Sequence, residues 1–303
     1  MMQEFSVQTN FHVDTVEKVY RLSELLQEII EITSIRDKIV LKGGTAINFI
    51  YFDMPRLSVD IDLDYIGSVQ QEEMVNDRKK FEKILSRVVK KLGYTIKSRG
   101  TYALLQYLLT YKNTAGNNDR VKVEINFFNR TPLFDPVEKT FMHLFEFKKF
   151  SVPTLVIEDL FGRKLRALMT RATARDLYDV YQLVDRKIQL RENVLRKCFI
   201  FYLCCHGDPR NITVDRLNTI TQRDVKTSLL PLLRKNNKVT IGDMKQRVYP
   251  LVEDFLSFTP SEQEFISELF DHKKYNPDTL FQDITYNEQV KEHPGIKWRI
   301  QNL

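Results

Sequence analysis

LKGGTAINFIYFDMPRLSVDIDLDY, residues 41–65, opens with a glycine pair behind an apolar run and closes with three aspartates at alternate positions. Side chains of a strand alternate between its two faces. Val59, Ile61, Leu63 and Tyr65 therefore share one face, and Ser58, Asp60, Asp62 and Asp64 share the other. Three like charges in a row on one strand face repel one another. A divalent cation placed there relieves the repulsion. Hard ions such as Mg²⁺ take carboxylate oxygens and keep positions open for water and substrate phosphates. On this geometry either Asp60 and Asp62 or Asp62 and Asp64 can be the pair that ligates one ion.

The other end of the stretch suits the same chemistry. Gly43 and Gly44 leave backbone N–H groups uncovered at the start of a predicted helix, where a phosphate can approach. Thr45 adds a hydroxyl, and Ser58 another on the aspartate face. Pro55 ends the helix before the strand begins.

The order strand, Gly-Gly-Thr, helix, short link, strand with Asp-x-Asp resembles the active-site signature of polymerase-β-like nucleotidyltransferases. The fuller text GGTAINFIYFDMPRLSVDIDLDY is similar to one branch, the AbiEii/MenT-type nucleotidyltransferase toxins. That resemblance implies a triphosphate cradled by Gly43, Gly44, Thr45 and Ser58, with Mg²⁺ (or Mn²⁺) on Asp60 and Asp62. It also implies a third carboxylate on a neighbouring strand. VKVEINFF, residues 121–128, supplies one: Glu124 lies mid-strand on the polar face, two residues from Lys122. The competing reading pairs Glu124 with Lys122 at the surface.

The remaining chain is read around this core. Of 303 residues, 43% are hydrophobic and 28% charged, which excludes a disordered chain. No apolar run reaches membrane-spanning length, and the N-terminal residues lack a basic start followed by an apolar core, so a cytoplasmic location without membrane partners is expected. The net charge of +6 favours a polyanionic partner. Cys198, Cys204 and Cys205 have no zinc-ligand spacing and read as reduced core thiols. Helices are expected over 14–33 and 71–92, strands over 94–98, 103–111 and 121–128, and a hairpin loop over 113–119.

From residue 151 the periodicity turns helical. Ile157, Leu160, Phe161, Leu165 and Leu168 form one arc, and Lys164 falls inside it. A second arc carries Leu177, Val180, Tyr181, Leu183 and Val184, with Asp176 inside. A charge on an apolar face needs a partner or a route to solvent, and Asp176 also fits a helix cap after Thr173. The family resemblance matches Lys164 and Asp176 to a catalytic lysine and aspartate. Further helices are expected over 191–206, 213–220, 223–234, 240–257 and 261–270, with a tail that docks along the surface through Trp298.

The expected fold is α+β: a polymerase-β-like nucleotidyltransferase core with a small mixed sheet over 1–150, and a helical C-terminal domain with a docking tail over 151–303. The expected reaction moves a nucleoside monophosphate from an NTP to an acceptor hydroxyl, releasing pyrophosphate. The resemblance points to RNA, the 3′ end of tRNA, as acceptor, and to a toxin–antitoxin or phage-defence setting with a cognate antitoxin. Two alternatives stand beside it: transfer to a protein or small molecule, and a non-catalytic nucleotide- or RNA-binding module.

Overall fold

The alternation in residues 59–65 becomes a central strand with one dry face. Ile61, Leu63 and Tyr65 are fully buried, as are Val121, Val123, Ile125 and Phe127 on the strand beside it. Each large apolar side chain removed from water contributes roughly 1.5–3 kcal/mol, so a one-residue slip would expose the whole set and is strongly disfavoured. The computed structural model describes residues 1–143, 145 and 148–303. These divide into two compact units, 1–130 with 136–155 and 232–236, and 131–135 with 156–231 and 237–303.

The first unit begins with helices α1 (Met2–Thr9), α2 (Val13–Ile30) and α3 (Thr33–Arg36). Strand β1 (Ile39–Lys42) leads into helix α4 (Gly43–Ala46), which widens into a π-helical turn over Ile47–Tyr51. Then come β2 (Asp60–Tyr65), α5 (Gln71–Lys91), β3 (Thr95–Gly100), β4 (Leu104–Lys112), β5 (Asn118–Asn126), β6 (Val137–Thr140) and β7 (Ser151–Thr154). The strands make one mixed sheet of seven, in the order β3-β4-β5-β2-β1-β7-β6. β2 runs parallel to β5 and antiparallel to β1, so the aspartate strand lies at the centre, with Lys42 on one neighbour and Lys122 and Glu124 on the other. β6 and β7 lie beyond the strands predicted from sequence.

The amphipathic helix α2 packs its buried Val16, Val19, Leu22 and Leu26 against the sheet and α5. α5 adds Phe81, whose ring stands 6.0 Å from Tyr65, while Tyr65 lies 5.3 Å from Phe127. The Tyr65 hydroxyl donates to Asp77 at 2.7 Å, and Lys38 reaches the same carboxylate at 2.7 Å. That pins α5 across β2. The segment 232–236 also belongs here: Leu57 N–H donates to the Leu232 carbonyl and Lys235 N–H to that of Asn10. Its basic run serves this packing, with Arg234 stacked on Phe11 at 5.1 Å.

The second unit is helical: α6 (Ile157–Arg171), α7 (Ala174–Asp185), α8 (Glu192–His206), α9 (Gln222–Asp224), α10 (Ile241–Leu256), α11 (Pro260–Phe270), α12 (Pro277–Phe281) and α13 (Pro294–Gln301), joined by short 3₁₀ and π turns. α6 stops at Ala172 in the left-handed conformation, φ 48°. Thr173 then caps α7 by accepting from the Asp176 N–H. Gly162 lets α6 and α8 cross closely, since a Cβ there would lie 2.9 Å from the Cys198 carbonyl carbon. The three cysteines are free and buried, as expected of core thiols. The tail differs from its predicted anchoring. Trp298 is 46% exposed, and Leu280, Phe281, Val290 and Ile296 are the side chains it buries. Among the described residues no helix is long and apolar enough to cross a membrane.

Candidate active site

β1 ends at Lys42, and the backbone turns at Gly43 with φ +69° into α4. This left-handed geometry strains any residue with a Cβ. A Cβ on Gly43 would also fall 2.8 Å from Cβ and 2.9 Å from Cγ of Asp62. The glycine turn is thus closed onto the Asp62 side chain. Gly44 makes a second close approach, where a Cβ would meet Nη2 of Arg56 at 2.6 Å and Oγ of Ser58 at 3.0 Å.

Behind the turn, Thr45 and Ser58 join α4 to the start of β2. Their hydroxyls lie 3.1 Å apart, and Thr45 also donates to the Asp60 carbonyl. Both side chains are buried. Asn48 donates to the Gly44 carbonyl at 2.8 Å, and buried Arg56 donates to the Leu57 carbonyl at 2.9 Å. Thr45 and Ser58 therefore brace the glycine turn from within.

The aspartates divide. Asp64 is buried, and its Oδ1 lies 2.5 Å from Nζ of Lys42. Asp60 and Asp62 are half-buried, further along the strand. β2 and β5 pair in parallel with Asp60 opposite Lys122, Asp62 opposite Glu124 and Asp64 opposite Asn126. Glu124 takes a hydrogen bond from Gln106 at 2.6 Å on one oxygen, and Lys122 lies 3.1 Å from the other. Lys122 also reaches Asp60 at 3.7 Å. Glu124 pairs with Lys122 as the competing reading expects, but half-buried on the aspartate face and not at the open surface.

The electrostatics follow the geometry. Burial pushes Asp62 up to about 6, with Asp60 and Glu124 adding to the shift against Lys42 and Lys122. Burial also acts to raise Glu124, but Lys122 and Gln106 outweigh it and hold the carboxyl below its usual range. Lys122 is held above the usual lysine range, because Asp60, Glu124 and Asp62 outweigh its desolvation. Crowded carboxylates shift one another in this way.

Asp60, Asp62 and Glu124 are hard oxygen donors of the type that Mg²⁺ or Mn²⁺ takes. Among the described residues, no three His, Cys, Asp or Glu side chains are gathered into a preformed metal-holding group. The donor chemistry fits a divalent ion, and an ammonium stands among the donors.

In the helical unit, Lys164 and Asp176 meet each other. Lys164 Nζ lies 2.9 Å from Asp176 and 3.0 Å from Asp179, and all three are buried. Asp176 also accepts from Arg171 Nε at 2.6 Å and from the Thr173 hydroxyl at 2.7 Å. Burial acts to raise the Asp176 carboxyl, but Lys164 and Arg171 hold it well below the usual carboxylate range. Asp176 thus takes part both in the cap with Thr173 and in an ion pair with Lys164. Nearby, Asp159 accepts from the Leu133 N–H, from Arg163 and from the Tyr202 hydroxyl at 2.7–2.8 Å.

Sequence reasoning missed the sites of Lys42, Arg56 and Asp179, and gave Lys122 only a pairing role. Arg56 carried a signal, standing two residues before Ser58 in the alternation that leads to Asp60. Asp179 sits three residues after Asp176, on the same helix face. Nothing local ties Lys42 to Asp64, a contact made only by pairing β1 with β2.

A glycine turn closed on a strand aspartate, with Glu124 on the strand beside it, is the layout that the sequence resemblance implies. The family described as nucleotidyl transferase AbiEii toxin, type IV toxin–antitoxin system, matches residues 24–269, and the chain belongs to that family. Among solved structures the fold is similar to MenT4, a nucleotidyltransferase toxin from Mycobacterium tuberculosis H37Rv. The TM-score is 0.63 at 18% identity, over 86% of this chain and 90% of that one. No curated protein matches the chain. Membership in the family implies a nucleoside triphosphate as substrate and an antitoxin as partner.

Proposed function

We propose that this toxin transfers a nucleoside monophosphate from an NTP to the 3′ end of tRNA, releasing pyrophosphate. The observation that carries the reading is the closure of the Gly43 turn onto Asp62, beside Asp60 and Glu124. Backbone N–H groups at the start of a helix suit phosphate oxygens. Asp60, Asp62 and Glu124 would hold Mg²⁺ or Mn²⁺, which when bound neutralises charge on the phosphates. Thr45 and Ser58 keep the turn and strand in register for the triphosphate. In the helical unit Lys164, held by Asp176 and Asp179, is a further candidate: a fixed positive charge of the kind that suits phosphate oxygens. Blocking tRNA ends would stop translation, the outcome expected of a toxin in a toxin–antitoxin or phage-defence setting.

The test is to incubate the protein with each α-labelled triphosphate, Mg²⁺ and total RNA, and to sequence the 3′ ends of labelled species. Added nucleotides at tRNA 3′ ends are expected. Label in protein alone, or in no acceptor, would overturn the reading.

A further inference from the structure

Lys122 stands among the carboxylates that the proposed reaction assigns to a metal. Its Nζ lies 3.1 Å from Glu124 Oε2 and 3.7 Å from Asp60 Oδ2. Pairing places it opposite Asp60 on the parallel strand, and its side chain is only 29% exposed. The other Glu124 oxygen accepts from Gln106, so both oxygens already have a partner. Lys42 pairs with Asp64 and lies opposite Asp62 in the sheet. Lys122 is thus a cation positioned to balance charge on both Asp60 and Glu124.

We propose that Lys122 is a resident counter-ion that competes with the divalent metal for Asp60 and Glu124, and so sets the metal affinity of the site. The inference rests on the proposed metal-holding role of Asp60, Asp62 and Glu124. An ammonium and a divalent ion compete for the same carboxylates, because each is repelled by the charge of the other. A metal held by these carboxylates would displace Lys122 from them. The device keeps the apo site from storing unbalanced negative charge. It also couples metal occupancy to arrival of the triphosphate, which offers the released ammonium a new partner. Lys122 is a positioning residue in this scheme.

Mn²⁺ binding to the full chain, followed by calorimetry without nucleotide, tests it. An opposite charge at this range changes the proton affinity of a carboxylate by about 10- to 1000-fold. Lys122→Met is therefore expected to bind Mn²⁺ at least tenfold more tightly than wild type. Lys122→Arg, which keeps the charge, is expected to stay near wild type, and Lys122→Gln serves if the methionine variant does not fold. Adding a non-hydrolysable triphosphate analogue should tighten Mn²⁺ binding more in wild type than in Lys122→Met. Equal or weaker Mn²⁺ binding by the neutral variants overturns the inference, as does the absence of binding in both wild type and variant. Asp62→Asn separates the two levels. Loss of Mn²⁺ binding in that variant, with Lys122→Met unchanged, leaves the metal site standing and removes the counter-ion role. Undiminished binding in Asp62→Asn overturns both.

Discussion

Gly43 and Asp62 are fitted to each other: the left-handed turn at Gly43 leaves no room for a side chain in front of the Asp62 carboxylate. Gly43→Ala adds a Cβ at φ +69° and drives it against Asp62. The backbone cost alone is roughly 1–2 kcal/mol, and relief of the contact requires Asp62 to move. The variant is expected to melt several degrees lower and to lose nucleotidyl transfer by about tenfold or more, since small misplacements of reacting groups carry costs of this order. Wild-type transfer by a folded Gly43→Ala protein would mean that Asp62 need not stay where it is.

Asp62 and Asp64 differ by two positions and are expected to behave oppositely. Asp64 is buried against Lys42, so Asp64→Asn leaves an ammonium with a weaker partner and lowers the melting temperature. Asp62 is crowded by Asp60 and Glu124, so Asp62→Asn removes repulsion. That variant is expected to melt at or above the wild-type temperature yet lose transfer by 10²-fold or more, on the scale of removing one charge-stabilising group. Thermal melts and initial rates on both variants check the contrast. A stable, inactive Asp64→Asn with an active Asp62→Asn would reverse the assignment.

Lys164 sits between two buried carboxylates, so Lys164→Met leaves Asp176 and Asp179 without their shared cation. The variant is expected to melt lower than wild type and, assayed well below its melting point, to lose transfer by about 10²-fold. Recovery of full transfer in a folded Lys164→Met protein would confine the pair to stability.

Acid should reveal the same network. The Asp176 carboxyl is held well below its unfolded value by Lys164 and Arg171, against the effect of burial. A depressed folded pKa means that the unfolded chain takes up a proton first as pH falls. The stabilisation is complete above the unfolded value of about 3.9 and fades as pH drops below it. Denaturant titrations from pH 7 to pH 3 should show stability falling at the acid end, with a smaller fall in Asp176→Asn. Parallel pH profiles for wild type and variant would contradict the role given to this carboxylate.

The centre of the fold was legible because alternation is local. Val59 to Tyr65 and Val121 to Phe128 each declare a wet and a dry face, and β2 and β5 pair with those faces aligned. The glycine turn was legible through Gly43 and Gly44, but the reason both are needed lies in Asp62, Arg56 and Ser58, which approach from across the turn. β6 and β7 escaped because Val137–Thr140 is short and exposed and Ser151–Thr154 carries Pro153, so neither shows an apolar alternation. Lys164 and Asp176 were visible as charges on apolar arcs. Their joint partner Asp179 and the added grip of Arg171 required three-dimensional contact. Trp298 misled because size and aromaticity suggest an anchor, whereas Ile296, two residues earlier, faces inward.

The central claim is that the acidic face beside the Gly43 turn performs nucleotidyl transfer to RNA. It is tested most directly by single-turnover transfer of label from an α-labelled triphosphate to purified total tRNA, comparing wild type with folded Asp62→Asn. Label at tRNA 3′ ends with wild type, reduced at least 10²-fold by Asp62→Asn, is the predicted result. Equal labelling of tRNA by both proteins would contradict it.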